Sequence, residues 1–435
     1  MVFTKPVETA SIQYLKQLTI WWNDGLWNAS LLAFTVQMML ILVLGHMLAL
    51  SKPVERIIDK ATSILCKSAG SAVFSVTLLT IIVAWFNWGL ALIFGAIFAR
   101  KAGEFAANNN IPINYPLIGA CGYSGLMVWH GGLSGSSLAK VAEPGHLRNL
   151  VEGKTLDFER IPDAISFSET VFSQMNITIS VLLLIALPLF MVLLSKRNKL
   201  EVPFHLVRND AKAEIIEKPE GAERLDNFRF SAAIPGLLII LAVILIALNS
   251  RGSTNLSFIT PNWINLTFLG LVLIAHGSIS KFLSAGDQAI SGASGILLQF
   301  PLYFGIMGVM SSSGLVSEIA DQFVVWSRLS NDPGTIFPVL TFISASFINL
   351  FVPSGGGQWA VQGPIIIEGA LNLGVSIPKS ILALAYGDQL TNMLQPFWAL
   401  PLLAITGLKA RDILPYSFLL MLVGLVIFML GLYLF

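Results

Sequence analysis

Residues 349–358 read Asn349-Leu350-Phe351-Val352-Pro353-Ser354-Gly355-Gly356-Gly357-Gln358, inside a run from Pro333 to Ile367 that carries no charge. Three consecutive glycines and a proline oppose a helix interior. Non-helical backbone at membrane depth is tolerated only where it is buried in protein or lines a cavity. The stretch therefore interrupts a membrane-length segment, with a helix expected to restart near Gln358. The interruption has a counterpart. The first half carries Asn87-Trp88-Gly89, then Ile111-Pro112, Gly122-Tyr123-Ser124 and the run from His130 to Ser136. After its glycines, the second half carries Ile377-Pro378, Gly387-Asp388 and Gln395-Pro396. Gln37 and Gln299 lie 262 residues apart, as do Asn87 and Asn349; Gly122 and Gly387 lie 265 apart, as do His130 and Gln395. Interrupted hydrophobic segments at matching places in two halves point to a secondary transporter and to its binding site.

Composition points the same way. Of 435 residues, 55% are apolar and 12% charged, against about 25% charged in a soluble globular chain. Uncharged runs such as 68–99, 170–195 and 413–435 exceed the ~20 residues a spanning helix needs. The expected fold is an all-α polytopic membrane protein built as an inverted repeat, with two re-entrant hairpins and two broken helices. Residues 1–24 form an amphipathic lead-in. The first repeat covers 25–194, with a hairpin at 71–103 and a broken helix at 113–141. A hydrophilic cytoplasmic loop fills 195–230. The second repeat covers 231–435, with a hairpin at 335–374 and a broken helix at 378–408. Net charge of +1 by itself says nothing about partners, no nucleic-acid partner is expected, and Cys66 and Cys121 make no disulfide framework.

Charge tests this topology independently. With 51–67, 100–101, 195–230, 281 and 409–412 on one side, that side collects 17 of the 26 Lys and Arg residues, and the other face collects seven. The positive-inside rule then puts the 195–230 loop in the cytoplasm. A single full span over 71–99 would flip every later segment up to the second hairpin. The hairpin reading brings the two tips in from opposite faces, as an inverted repeat requires.

Glycines without side chains let backbone N–H groups approach a bound anion. Gly355, Gly356 and Gly357 therefore read as substrate-binding residues, with the Ser354 hydroxyl, Gln358 and the positive N-terminal end of the following helix. Gly356 is the glycine whose replacement by a β-branched residue is expected to abolish uptake. In the first hairpin Asn87 and Trp88 offer an amide and an apolar wall. Gly122, Ser124, Ser134 and Ser136 offer gaps and hydroxyls in the first broken helix, and Asn349 and Gln395 offer amides in the second half. Asp388 is the only charged residue between Lys379 and Lys409, and a carboxylate at the centre of a spanning helix costs about 2.5–3.5 kcal/mol on insertion scales. With Thr391 and Asn392 it suits a coupling ion, either a sodium ion or a proton. His130 has no acid near it in sequence; it could be a proton relay, but a lone histidine is more often a satisfied packing residue. No His, Cys and carboxylate cluster has metal-site spacing, no cofactor motif is present, and no nucleophile elbow is formed. The enzymatic alternative, a membrane-embedded acyl transferase, is the weaker reading.

Pro353 to Trp359, Gln362-Gly363-Pro364, Tyr386 to Asn392 and Gln395 to Pro401 together resemble the short-chain fatty acid transporter family. Gly45-His46, Asn87 to Gly89, Gly132 to Ser136, Gln299 to Pro301 and Arg411-Asp412 extend the likeness from about residue 20 to the C-terminus. The resemblance implies an inner-membrane carrier for acetoacetate, butyrate and similar monocarboxylates, driven by cation symport. More distantly, the glycine-acid pattern at Gly387-Asp388 resembles the ion transporter superfamily. That implies an elevator-type carrier whose mobile domain holds both hairpins. Its expected partners are a small carboxylate, membrane lipid and, in a homo-oligomer, further copies of itself. Another carboxylate carrier or an exchanger of that superfamily is the alternative within the class. Two departures are noted: the family has a further span ahead of the position of Trp21, and glycine at the position of His130.

Overall fold

The structure, a computed structural model, describes residues 11–151, 158–197, 200–206, 221, 223–249, 260–290 and 293–435. Much of the 195–230 loop, with Lys199, Arg208, Lys212 and Lys218, lies outside the described residues. Among those described, regular structure is helical apart from one isolated antiparallel bridge between Ile113 and Glu201.

The first half runs α1 (Ser11–Leu26), α2 (Ala29–Ala49), α3 (Lys52–Leu65), α4 (Ala69–Phe86), α5 (Trp88–Asn108), α6 (Tyr115–Tyr123), α7 (Ser136–Val141), α8 (His146–Leu150) and α9 (Gln174–Arg197). A short α10 (Glu223–Asp226) precedes α11 (Ala233–Asn249), α12 (Pro261–His276) and α13 (Ile279–Ile290). The second half continues with α14 (Ser294–Ser312), α15 (Leu315–Arg328), α16 (Pro333–Asn349), α17 (Gly355–Leu373), α18 (Ile377–Thr391), α19 (Pro396–Thr406) and α20 (Ala410–Leu434). Five of these, α2, α4, α9, α14 and α20, are long and apolar enough to cross a membrane.

The order repeats. An apolar helix (α2, α14) leads to a 14-residue amphipathic one (α3, α15), then to a helical pair (α4–α5, α16–α17), a helix that breaks (α6, α18) and a long apolar helix (α9, α20). The amphipathic α15 and α13 were not expected from hydropathy, because neither is long or apolar enough to register as a span.

Each helical pair folds back on itself. Asn87 ends α4 and starts α5, and its side chain accepts the Leu90 N–H at 3.0 Å, satisfying one of the donors a helix start leaves free. Gly95 of α5 lies against Thr80 of α4, positions nearly equidistant from Asn87, so the two helices run antiparallel side by side. In the second pair the Gln362 amide donates to Ser344 Oγ at 2.7 Å and Gly369 lies against the Phe337 ring, which again closes a hairpin. The fold-back returns the chain to the side it left, whatever depth the tip reaches.

One expectation needs correction here. The glycines are not ahead of a helix starting near Gln358; Gly355 to Gly357 are the first turn of α17, with Ser354 as its cap. The first-turn N–H groups have no helical acceptor in any case, so glycine's low propensity costs least there. Two assemblies result. The α1–α14, α2–α12, α2–α13 and α11–α12 contacts make one; α4, α5, α6, α9 and α16 to α20 make the other, touching the first through α2, α3, α14 and α15.

Candidate functional site

Both hairpin tips and both helix breaks meet in one place. After Tyr123 the backbone passes through two short 3-10 turns, 124–127 and 129–131, before α7 starts at Ser136. After Thr391 a single such turn, 392–394, leads to Pro396, the first residue of α19. The Tyr123 hydroxyl lies 2.7 Å and 2.9 Å from the carbonyl oxygens of Asn392 and Gln395, so the first break is tied to the second.

Asp388 is completely buried, and its Oδ1 lies 3.0 Å from Nδ1 of His130, which is equally buried. The other ring nitrogen, Nε2, faces the Ser137 backbone N–H at 3.2 Å and the Ser137 hydroxyl at 3.0 Å. A backbone N–H only donates, so Nε2 accepts, and the ring proton sits on Nδ1 and is donated to Asp388. The second carboxylate oxygen, Oδ2, is buried without a hydrogen-bond partner among the described residues. The backbone N–H groups of His130 and Gly131 both donate to Gln389 Oε1, at 2.9 Å and 3.2 Å. The expectation that no acid orients His130 is overturned: the acid comes from the other half of the chain.

Asn349 fills the space between α16 and α18. Its amide nitrogen lies 2.6 Å from the Asp388 carbonyl oxygen, 3.0 Å from Thr391 Oγ1 and 2.8 Å from Asn392 Oδ1. Gln395 in turn donates to the Asn349 carbonyl. Thr391 is thus turned toward Asn349, while Asn392 lies between Asn349 and Asp388, its amide nitrogen 3.5 Å from Asp388 Oδ1.

At the first tip the Trp88 N–H donates to Ser134 Oγ at 3.0 Å. The Trp88 ring packs on Trp398, Trp129 and Phe34, with centroids 5.3, 5.9 and 6.1 Å away. At the second tip Ser354 Oγ accepts the Gly357 N–H at 3.2 Å. A Cβ at Gly355 would lie 2.8 Å from His130 Cε1 and 2.9 Å from the Trp129 ring, so this tip rests on the first break. A Cβ at Gly356 would meet nothing within 4 Å, and Gly356 is exposed. Steric closeness therefore belongs to Gly355, not to Gly356.

The remaining sequence-derived residues have local roles. Gly122 presses on the Gly95 backbone, and Ser124 Oγ donates to the Cys121 carbonyl at 2.7 Å. Gln358 is held inside its hairpin by Ala345 and Gln362, and Ser136 is the half-buried first residue of α7. His130, read in the sequence more as packing than as a relay, does take part, as do the indoles of Trp129 and Trp398, which had no functional reading. Both indole N–H groups are buried and have no hydrogen-bond partner among the described residues. Their signal in the sequence was no more than proximity to glycine-rich breaks.

The family model described as Short chain fatty acid transporter matches residues 4–435. The chain belongs to the short-chain fatty acid transporter family. It is 38% identical over 418 residues to a putative short-chain fatty acid transporter of Escherichia coli (strain K12), covering 95% of this chain and 89% of that one. A second protein of that description, from Haemophilus influenzae, is 36% identical over 417 residues with the same coverage. Among solved structures the chain is similar to the YdaH transporter of Alcanivorax borkumensis, with 16% identity, TM-score 0.49, and 97% and 87% of the two chains covered.

As a member of this family the protein is a multi-pass membrane transporter and not an enzyme. Cavities open away from the tips among the described residues. One of about 350 Å³ opens between α2, α3 and α5 beside His46, Glu55, Arg100, Lys101 and Glu104. There Lys101 pairs with Glu55 at 3.5 Å and Glu104 at 3.2 Å. On the loop between α7 and α9, His146 Nε2 accepts the Trp359 indole N–H at 3.0 Å. Burial, and then the Lys140 charge, hold the His146 imidazole below the usual histidine range, so the accepting, neutral form is favoured.

Proposed function

We propose that this transporter imports short-chain monocarboxylates of the acetoacetate and butyrate type by cation symport across the cytoplasmic membrane. The observation that carries the reading is the pair of buried indole N–H groups of Trp129 and Trp398, without a partner among the described residues and packed around Trp88 where the two tips meet. An unpaired buried donor costs about 1–3 kcal/mol, and a carboxylate is an acceptor with two oxygens. The first-turn N–H groups of Gly355 and Gly356 add donors at a helix N-terminus, and the indole faces suit a tail of a few carbons.

In this reading both hairpins are re-entrant and belong to a mobile elevator domain that slides on the α1–α2, α11–α14 assembly. The meeting of both tips with both breaks supports it, because the breaks interrupt membrane segments at depth. The distribution of Lys and Arg supports a cytoplasmic 195–230 loop.

Counterflow of labelled acetate, butyrate and acetoacetate in proteoliposomes, with and without sodium, tests the reading. Butyrate or acetoacetate is expected to exchange, and Trp129→Phe and Trp398→Phe to raise the apparent Km by removing one ground-state contact each. Displacement by succinate but not butyrate would favour a dicarboxylate and sink the substrate assignment.

A further inference from the structure

Resting on the symport reading, we infer that the co-transported cation is a proton, taken up by the Asp388 carboxylate at the His130–Asp388 pair. Three observations meet there. First, the Ser137 backbone N–H forces His130 into the neutral form with its proton on Nδ1, so the pair with an ionised Asp388 carries one uncompensated negative charge. Second, Asp388 Oδ2 is buried with no donor among the described residues, an open acceptor at the point of that charge. Third, three oxygens beside it, the Asp388 carbonyl, Thr391 Oγ1 and Asn392 Oδ1, already surround the amide nitrogen of Asn349, so a sodium ion would be left with the amide oxygens of Asn349 and Gln395, which are buried without a partner among the described residues.

The step balances simply. A proton adds to Oδ2, no bond breaks, and the pair goes from one negative charge to none. The Nδ1–H bond to Oδ1 and the Ser137 bonds to Nε2 stay in place. The loaded domain then carries the substrate's negative charge and the empty one carries that of Asp388, so both cross with the same charge and the cycle moves one carboxylate with one proton. Gly355 against His130 Cε1 places the substrate tip in contact with the pair.

No other charge reaches the imidazole from the elements packed on it. α4 has no ionisable residue. α18 brings Asp388 and Tyr386, whose hydroxyl donates to Asn176. α7 brings Lys140, which is exposed and paired with Glu143 at 2.9 Å. The first turn of α17 has only glycines against it.

Infrared difference spectroscopy of the protein in lipid nanodiscs, titrated from about pH 9 to about pH 5 without substrate, tests the site by itself. The C=O stretch of a buried protonated carboxylic acid is expected to grow in, to be missing in Asp388→Asn, and to shift its midpoint in His130→Gln, which keeps an amide donor but loses the imidazole. Spectra of wild type and Asp388→Asn that match at every pH would overturn the proposal, as would displacement of the band by sodium. The second arm is labelled butyrate binding to the same nanodiscs. Binding is expected to weaken about tenfold per pH unit above the midpoint, and to lose that slope in Asp388→Asn. Butyrate bound with no pH slope but dependent on sodium would refute proton coupling. Absence of butyrate binding at every pH, with the Asp388 band intact, would uphold the proton site and sink the substrate reading alone.

Discussion

Tyr123 and Asp388 hold equivalent positions in the two halves, each following a glycine that presses on the backbone of a hairpin helix, and each reaches into the opposite break. Tyr123 does so with a neutral hydroxyl held by the carbonyls of Asn392 and Gln395. Asp388 does so with a carboxylate held by the imidazole of His130, the residue that corresponds to Gln395. One contact is a lock that no pH change in the ordinary range would touch. The other is the same lock made ionisable. The hairpin tips differ in the same sense. Trp88 packs its tip among Trp129, Trp398 and Phe34, whereas the second tip has glycines and an exposed Gly356. The repeated order of elements thus sets the framework twice, and the buried carboxylate stands in one copy only.

The largest effect is expected where the two halves are alike. A Cβ at Gly95 would run into the Gly122 carbonyl, and one at Gly387 into the Phe342 carbonyl. Backbone cannot move aside as a side chain can, so Gly95→Val and Gly387→Val should each exceed the ~3 kcal/mol typical of overpacking and remove folded protein from the membrane. Size-exclusion profiles of the detergent-extracted variants check this. Either variant folding normally would mean that the broken helix of that half does not press on its hairpin backbone as closely as the structure has it.

The tips should then separate. Gly355→Ala pushes a methyl onto His130 and Trp129, a cost of about 1–3 kcal/mol, which corresponds to roughly a tenfold loss of uptake or more. Gly356→Ala points into open space and should keep uptake, gaining up to about 1 kcal/mol of helix propensity. Initial rates of butyrate uptake at equal membrane expression measure both, and the reverse order would return the critical position to Gly356.

Tyr123→Phe sharpens the comparison of the two locks. It removes the phenol donor shared by the Asn392 and Gln395 carbonyls, of which the first keeps the Gln395 N–H at 3.1 Å, a loss of about 1–3 kcal/mol. Thermal unfolding should move to lower temperature while the pH dependence of butyrate binding stays as in wild type. A changed pH slope would mean that the neutral lock takes part in coupling.

The smallest effect concerns His146. Its folded-state value is depressed below the unfolded value of about 6.5, so the stability it contributes is present above that pH and is lost as pH falls through the folded value. Protonation removes the acceptor of the Trp359 indole. Thermal unfolding of wild type and His146→Phe should therefore differ near neutrality and converge in the acid range. Parallel curves throughout would mean the bond contributes nothing to the second hairpin.

Periodicity and composition were sufficient to read a helical membrane protein, two hairpins and two broken helices, because lipid admits few backbone solutions and glycine, proline and asparagine mark where a helix must stop. The acid of the site was legible for the same reason: Asp388 is costly at membrane depth, so its presence asks for a partner. That partner was not legible. His130 lies 258 residues from Asp388, with no acid beside it in sequence, and its tautomer depends on a backbone N–H of Ser137. Nor could local sequence decide between Gly355 and Gly356, which differ only in which way a missing side chain would point. Elements and their breaks follow from local backbone chemistry; which breaks touch, and through which atoms, follows from packing the two halves against each other.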